Sequence, residues 1–274
     1  MPVKADKNIF DLVEKNIGVE ALSVLCKTVS LAESAGMKVF LVGGTVRDII
    51  MGREYRDIDI AVEGDAVKIG RALVNSMSAD IKLYEKFGTC TISFDGKVNS
   101  SVAMSDMKVD MATAREETYS FPGAFPDIKP SSIMADLSRR DFTVNAMAVN
   151  MSGKSRGVLI DPYGGETDVK DKIIRVLHDN SFIDDPARIF RAVRFETRLA
   201  FNIEEHTRVL IKDALQNGMI RAMRENRIKE EWVLVEKEKN RKKCFSRLRD
   251  LLGDDMKFIT KIVEKKKGEE NGKD

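Results

Sequence analysis

The segment of residues 41–60, LVGGTVRDIIMGREYRDIDI, constrains the fold more than any other part of this chain. Two apolar runs with the composition of buried strands flank a glycine pair and a short helix predicted at Thr45–Met51. The second run contains Asp57 and Asp59. Because side chains at positions i and i+2 of a strand point to the same side, both carboxylates project from one face. This arrangement beside a glycine turn predicts metal-dependent phosphoryl chemistry.

The glycine pair, Gly43-Gly44, is the second part of this pattern. A side chain on either residue would keep a triphosphate away from the backbone amides that open the next helix. The spacing matches neither the Walker loop nor the GxGxxG dinucleotide motif. An ordinary tight turn explains the pair at least as well, so the pair alone does not identify a nucleotide site.

Composition excludes several classes of protein. The chain has 274 residues, of which 43% are hydrophobic, and a formal net charge of only +2. Its three cysteines lack CxxC spacing, and with two histidines they argue against a disulfide framework or a zinc site. No apolar run reaches membrane-spanning length, and the N-terminus does not resemble a signal peptide. We therefore expect a cytoplasmic protein with no membrane partner, whose oligomeric state the sequence leaves open.

The pattern of apolar residues changes near residue 183. Before this point short strand-like runs alternate with helical stretches, and after it helical periodicity continues to the end. We predict a helical N-terminal segment at 1–37, an α+β domain at 38–182, an all-helical domain at 183–264 and a disordered polar tail at 265–274. Residues 115–133 contain three prolines and a glycine, a composition that predicts a mobile loop.

A second motif places two arginines directly before an acid. Arg139 and Arg140 could hold phosphates through charge-assisted hydrogen bonds, while the carboxylate of Asp141 accepts a hydroxyl of a sugar. A solvated ion-pair cluster at the start of a helix explains the same residues equally well.

A third motif, DDPAR at residues 184–188, begins the helical part of the chain. Pro186 suits the first turn of a helix, and the acids suit its N-terminus. Arginines then follow on one helical face, at Arg188, Arg191, Arg194 and Arg198. Such a stripe usually faces solvent, but Asp and Arg together also match the Watson–Crick edge of a nucleobase.

Taken in order, these motifs resemble the signature of the class II tRNA nucleotidyltransferase and bacterial poly(A) polymerase family. The matching elements are Gly43-Gly44-x-x-Arg47-Asp48, Asp57-x-Asp59, Arg139-Arg140-Asp141-Phe142-Thr143-x-Asn145, Asp161-Pro162-Tyr163-Gly164-Gly165 and DDPARIFRAVRF from Asp184. The resemblance spans roughly residues 38–250. It implies a head domain related to the nucleotidyltransferase fold of DNA polymerase beta, followed by a helical neck.

The resemblance also implies roles for individual residues. Asp57 and Asp59 would bind Mg²⁺, and Asp110 is the candidate third catalytic acid. The nucleotide-binding set is Gly43, Gly44 and Arg47 beside the triphosphate, Arg140 at a phosphate, Asp141 at the ribose 2′-hydroxyl, Asn145 in support, Asp185 and Arg188 at the base, and Arg191 and Arg194 on the same helix face. Basic residues of the neck are candidates for contacts with RNA phosphates, namely Arg221, Arg224, Arg227, Arg241, Lys242 and Lys243.

The implied activity is template-independent addition of C, A or both to the 3′ end of tRNA, from CTP and ATP. The RNA 3′-hydroxyl would attack the α-phosphate of the nucleotide in line. A poly(A) polymerase is the alternative enzyme, and an RNA-binding protein that retains the fold is the alternative outside catalysis. A signalling nucleotidyltransferase shares the Gly-Gly and Asp-x-Asp elements, but it would not explain the other two motifs.

Two departures from the family pattern stand out. The base-selecting motif usually begins with Glu-Asp, whereas this chain has Asp184-Asp185, so a role for Asp184 is in doubt. Family members also usually continue beyond the neck into body and tail helices. The sequence is therefore compatible with a compact member, a fragment or an enzyme with a weaker grip on tRNA.

Overall fold

The computed structural model describes residues 7–53, 57–77, 79–94, 107–118 and 127–270, with side chains as far as Glu264. These residues form two compact units. The first contains the described residues through Thr118 and from Ile128 to Lys170, so it includes the N-terminal segment. The second contains Asp127 and the described residues from Asp171 onward, whereas the sequence places the change to all-helical structure at 182/183.

A seven-stranded mixed sheet forms the centre of the first unit, in the order β3-β4-β5-β2-β1-β8-β9. Its strands are β1 (Lys38–Val42), β2 (Ile58–Glu63), β3 (Asp80–Tyr84), β4 (Thr89–Phe94), β5 (Met107–Thr113), β8 (Ala148–Asn150) and β9 (Leu159–Ile160). The β2–β5 pair is parallel, while β1 pairs antiparallel with both β2 and β8. The alternation of buried and exposed residues along β4 and β5 places one face of these strands in the core.

The described residues of this part of the chain include the helices α1 (Phe10–Asn16), α2 (Val19–Ser34), α3 (Gly44–Ile50), α4 (Ala66–Ser76), α5 (Ile133–Ser138) and α6 (Gly165–Asp171). Helices α2 and α4 pack against each other and against the sheet, where Leu25, Ile69 and Leu73 are buried. Asp65 caps α4 by accepting a hydrogen bond from the amide of Lys68 at 2.9 Å.

The prediction of a mobile loop at residues 115–133 is wrong in part. Strands β6 (Arg115–Thr118) and β7 (Asp127–Pro130) pair as a small two-stranded sheet, and residues 119–126 lie outside the described residues. Pro130 belongs to an edge strand of this two-stranded sheet, where the missing N–H is tolerated. Glu117 forms ion pairs with Arg115 of the same strand at 2.8 Å and with Arg139 at 2.9 Å, and these ion pairs favour an ordered strand.

The second unit is mainly helical. It contains α7 (Ser181–Asp184), α8 (Arg188–Leu199), α9 (Glu205–Gln216), α10 (Met219–Ala222), α11 (Glu225–Glu236), α12 (Arg241–Leu252) and α13 (Asp255–Glu270), with a short parallel pair of β10 (Ile173–Ile174) and β11 (Asn202–Ile203). Helix α8 packs against α11 and α12. It ends at Leu199 because Ala200 adopts a left-handed conformation with φ of 57°.

Helix α13 extends into the segment 265–274 that the sequence assigns to a disordered tail, since its backbone remains helical through Glu270. The last four residues, 271–274, lie outside the described residues. In the part of the chain that the structure describes, no helix has both the length and the apolar composition that a membrane span requires.

Candidate active site

Strands β2 and β5 bring two acids side by side. In this parallel pair Asp59 is in register with Asp110. Asp57 directly precedes β2, and the intervening Ile58 and the following Ile60 are buried in the core. Because side chains alternate along an extended segment, Asp57 and Asp59 lie on the side of β2 opposite these isoleucines. The arrangement that the sequence predicts for these two acids is therefore present, and Asp110 is their neighbour across the strand pair.

The charges around Asp59 show how closely the site is assembled. Burial and the negative charge of Asp110, with a smaller contribution from Asp57, raise the pKa of Asp59 to about 6, against the lowering effect of Arg140 and Arg47. Three carboxylates thus repel one another beside two guanidinium groups. A cation among the acids would relieve this repulsion.

The donor set fits a divalent metal ion of the Mg²⁺ type. Carboxylate oxygens are its preferred protein ligands, and it typically takes one or two of them together with water and substrate phosphates. Among the described residues no group of three or more His, Cys, Asp or Glu side chains is placed so that it could hold a metal ion by itself. An open set of acids is the arrangement expected where the substrate supplies part of the coordination.

The first glycine of the pair, Gly43, is favoured by a close contact as well as by its backbone conformation. Gly43 has a φ of 62°, and a Cβ at this position would lie 2.6 Å from Nη1 of Arg140. A Cβ on Gly44 would lie 3.4 Å from Oδ2 of Asp59 and 3.5 Å from Nη2 of Arg47, which are ordinary contact distances. Gly43 therefore allows the start of α3 to lie against Arg140, and Gly44 lies beside Asp59 and Arg47.

Helix α3 is tied directly to the strand that bears the acids. The buried hydroxyl of Thr45 accepts a hydrogen bond from the amide of Asp59 at 2.8 Å. Arg47, also buried, donates to both carboxylate oxygens of Asp48 at 3.0 and 2.9 Å. Its Nη1 donates to Oδ1 of Asn145 at 2.6 Å. Thr45 therefore joins α3 to β2, and Asp48 holds the guanidinium of Arg47, although neither residue was predicted to have a function of its own.

A buried acid on α5 organises the two arginines of the second motif. Asp136 accepts hydrogen bonds from Arg139 at 2.6 Å and from Arg140 at 2.7 Å. Burial alone would raise the pKa of Asp136, but the charges of Arg140 and Arg139 and the hydrogen bonds they donate hold it below its usual value. Sequence reasoning missed Asp136. Its spacing of three and four residues before the arginines, on one helical face, was the available signal.

Asp141 and Asn145 complete the network of the first unit. Oδ1 of Asp141 accepts hydrogen bonds from the amide of Phe142 at 2.8 Å and from Nδ2 of Asn145 at 3.1 Å. The backbone carbonyl of Asn145 accepts a hydrogen bond from Nη1 of Arg140 at 3.2 Å. Asn145 therefore connects the second motif to Arg47 on α3, and the structure brings together all the residues predicted for the phosphate and sugar side.

The third motif forms a separate cluster in the second unit. Oδ1 of Asp185 accepts a hydrogen bond from the amide of Ala187 at 3.0 Å, just before α8 begins. Arg188 is buried, and its Nη1 donates to the hydroxyl of Ser181 at 2.7 Å. Asp184, the residue that departs from the family pattern, instead lies with Oδ2 at 3.9 Å from Nε2 of His178.

The other arginines of α8 face acids in and just after α11 and an aromatic ring of α8 itself. Nε of Arg194 donates to Glu238 at 2.9 Å, and its Nη1 lies 3.7 Å from Oε2 of Glu231. Arg191 lies over the ring of Phe195, with 5.4 Å between the guanidinium carbon and the ring centroid. Burial raises the pKa of Glu231, although Arg227, Arg191 and Arg194 lower it. The nucleotide-binding roles of Arg191 and Arg194 stay predictions.

The residues predicted to contact RNA lie in different surroundings. Arg227 is within 3.9 Å of Asp185 and 3.4 Å of Glu231, so it belongs to the cluster of the third motif. Nε of Arg221 donates to Asp255 at 2.7 Å. The remaining four predicted residues are exposed, namely Arg224, Arg241, Lys242 and Lys243. An RNA-binding role for these residues stays a prediction.

The model of the poly A polymerase head domain family matches residues 39–175 of the chain. The chain belongs to this family. The matched region contains the glycine pair, the three acids and the Arg-Arg-Asp motif, and it ends before Asp185. The family and the fold class predicted from the sequence, a mixed sheet with helices followed by a helical region, are therefore confirmed.

Individual relatives extend the likeness into the second unit. The A-adding tRNA nucleotidyltransferase of Geobacter sulfurreducens is 38% identical over 252 residues, which are 92% of this chain and 27% of that protein. The structure of a CCA-adding enzyme in an apo form matches with a TM-score of 0.81 at 35% identity, covering 91% of this chain and 57% of that one.

A second solved structure contains tRNA. The Thermotoga maritima CCA-adding enzyme complexed with tRNA matches with a TM-score of 0.74 at 34% identity, covering 91% of this chain and 55% of that one. The present chain thus spans less than two thirds of the length of each of these three proteins.

Proposed function

We propose that this chain catalyses template-independent addition of nucleotides to the 3′ end of tRNA, from ATP, CTP or both. The observation that carries the proposal is the cluster of Asp57, Asp59 and Asp110 beside Arg47 and Arg140 at a glycine pair. Relatives named as A-adding and CCA-adding enzymes, one of them solved with tRNA, support the choice of substrate.

The chemistry begins with the acids. Asp57 and Asp59, with Asp110 beside them, would hold a divalent metal ion, which we propose is Mg²⁺. When bound, such an ion neutralises charge on the phosphates and lowers the pKa of an attacking hydroxyl. Ile58 and the buried face of β2 fix the strand, so the carboxylates of Asp57 and Asp59 are held on its opposite face.

The positive side chains orient the nucleotide. Arg47 and Arg140 provide guanidinium groups suited to phosphate oxygens, and their hydrogen bonds to Asn145 and Asp136 limit the movement of both groups. Asp141 would accept a hydrogen bond from the ribose 2′-hydroxyl. Since phosphoryl transfer leaves little covalent chemistry to the protein, such positioning and charge stabilisation account for most of the rate.

Selection of the base belongs to the third motif. The guanidinium of Arg188 only donates hydrogen bonds, and the carboxylate of Asp185 only accepts them. A and C each present a donating amine beside an accepting ring nitrogen, a pattern that this pair matches. The protein would thus select A or C over G and U without a nucleic-acid template. A cytoplasmic location stays a prediction of the sequence.

The test is incorporation of ATP and CTP, supplied separately, into tRNA that ends before, within or after the CC sequence. We expect ATP to be added to tRNA ending in CC, in agreement with the activity named for the Geobacter relative. Addition of ATP to any RNA would favour a poly(A) polymerase instead. Binding of tRNA without any incorporation would favour the RNA-binding protein that retains the fold.

A further inference from the structure

Ser181 is a buried residue that lies outside the third motif, Asp184 to Arg188, and contacts Arg188 of that motif. It is the first residue of α7, and its side chain is shielded completely from solvent. Its hydroxyl oxygen accepts a hydrogen bond from Nη1 of Arg188 at 2.7 Å. A bond from a charged donor in a buried setting is among the stronger hydrogen bonds of proteins. The contact therefore restricts the rotation of the arginine side chain.

Two backbone hydrogen bonds join the same residues. The amide of Asp185 donates to the carbonyl of Ser181 at 3.2 Å, and the amide of Arg188 donates to the carbonyl of Asp185 at 3.1 Å. The bond from the Arg188 guanidinium to the Ser181 hydroxyl closes a ring through all three residues. Asp185 and Arg188, which we propose contact the base, thus belong to one hydrogen-bonded turn. The side chain of Arg188 is hydrogen-bonded to Ser181, the residue at which this turn starts.

Selection of a base edge depends on this kind of restriction. G and U reverse the order of donor and acceptor that A and C present, so an arginine in a fixed position makes an unpaired, donor-to-donor contact with them. An arginine free to rotate would avoid that contact and would accept either pattern. Discrimination therefore depends on how firmly the guanidinium is held.

We propose that Ser181 is a positioning residue that fixes the guanidinium of Arg188 for selection of A or C over G and U. This inference rests on the proposed function, because it takes Arg188 to contact the base. Ser181 itself would touch neither the nucleotide nor the RNA.

The experiment measures the dissociation constants of ATP and GTP with Mg²⁺ by calorimetry. The proteins are the full chain, Ser181→Ala, Arg188→Gln and the double variant. We expect Ser181→Ala to reduce the preference for ATP over GTP about tenfold, the size of a lost hydrogen bond to a charged group. The double variant should have the preference of Arg188→Gln alone, because both substitutions act through one contact.

Thr197→Val is the matched control. Thr197 is also buried on α8, and its hydroxyl bonds with Cys244 on α12, so the substitution removes one buried hydroxyl from the same helix. We expect it to lower the melting temperature, as Ser181→Ala does, and to leave the ATP preference unchanged. An equal loss of preference in Thr197→Val would overturn the proposal, since any loosening of the helix would then suffice.

The remaining outcomes distinguish a wrong role for Ser181 from a wrong role for Arg188. If Arg188→Gln abolishes the preference and Ser181→Ala retains it, the role of Ser181 is wrong and base selection by Arg188 stands. If the unmodified chain shows no preference, or Arg188→Gln keeps it, base selection by Arg188 is wrong and the role of Ser181 is wrong with it.

Discussion

The acids of the first unit, Asp59 and Asp110, and the pair Asp185 and Arg188 of the second unit are held in place by different means. Asp59 and Asp110 are aligned by the register of two neighbouring strands, so their positions depend on the packing of the whole sheet. Asp185 and Arg188 are placed by one helical turn and by side-chain hydrogen bonds within it. Changes at the first site should therefore affect the rate of transfer, and changes at the second should affect the choice of nucleotide.

Substitution of one of the acids is expected to have the largest effect on incorporation of ATP into tRNA. Asp59→Asn keeps the shape of the side chain and removes the charge that would hold the metal ion. We expect incorporation of ATP into tRNA to fall about a thousandfold, the equivalent of about 4 kcal/mol of transition-state stabilisation. Asp80→Asn, at an exposed acid on β3 of the same sheet, is the matched control and should leave incorporation unchanged. Equal rates in the two variants would remove Asp59 from the mechanism.

A second prediction concerns the buried acid that holds the arginines. Asp136→Asn removes the buried negative charge that Arg139 and Arg140 share, although Arg139 keeps its ion pair with Glu117, and breaking a buried ion pair in this way costs about 3 kcal/mol of the free energy of unfolding. Urea denaturation measures this loss. Asp254→Asn, which removes an exposed partner of Lys257, should have no measurable effect. A loss in the first variant no larger than in the second would contradict the account.

The pH dependence of the free energy of unfolding also tests whether the charge of Asp136 stabilises the fold. The pKa of Asp136 is lowered in the folded chain, so the charged form contributes stability that is present above the pKa of an unfolded aspartate, about 3.9. That contribution is lost as the pH falls below this value and through the lower pKa of the folded state. The difference in unfolding free energy between the unmodified chain and Asp136→Asn should therefore shrink below about pH 4. A difference that stays constant down to about pH 2 would show that the charge is not its source.

The smallest expected effect is at the glycine pair. Gly43→Ala forces a left-handed conformation on alanine, which costs about 1 kcal/mol, and it also places the new methyl against Arg140. Gly52 has a similar φ of 65°, and nothing lies within 4 Å of the position that a Cβ would take, so Gly52→Ala has only the backbone cost. The difference between the two variants in urea denaturation isolates the contact with Arg140. Similar losses would mean that Arg140 moves aside freely.

Much of the first unit could be predicted from the sequence because its signals are local. The two apolar runs of the segment 41–60 lie in β1 and β2, as predicted, and the glycine pair marked the start of α3. The register that pairs Asp59 with Asp110 depends on contacts between segments that are far apart in the chain, and no local pattern encodes it. Family resemblance supplied Asp110, whereas the sequence pattern by itself did not.

The residues that sequence reasoning missed share a physical cause. Asp136 and Ser181 act through partners several residues away on a helical turn, and acids or serines near helix ends are common for capping alone. The arrangement of β6 and β7 was missed because prolines and a glycine masked two short paired strands. The side-chain hydrogen bonds in the structure were needed to distinguish the roles of Asp136 and Ser181 from ordinary helix capping.

The central claim is that Asp57 and Asp59 hold a divalent metal ion beside the nucleotide. Proton relaxation enhancement of Mn²⁺ with ATP tests this claim, because bulk water relaxes faster when the ion is bound to the slowly tumbling protein. The account predicts a strong enhancement with the unmodified chain and its loss in the Asp57→Asn and Asp59→Asn variants, with Asp80→Asn unchanged. An enhancement of equal size in all four proteins would contradict it.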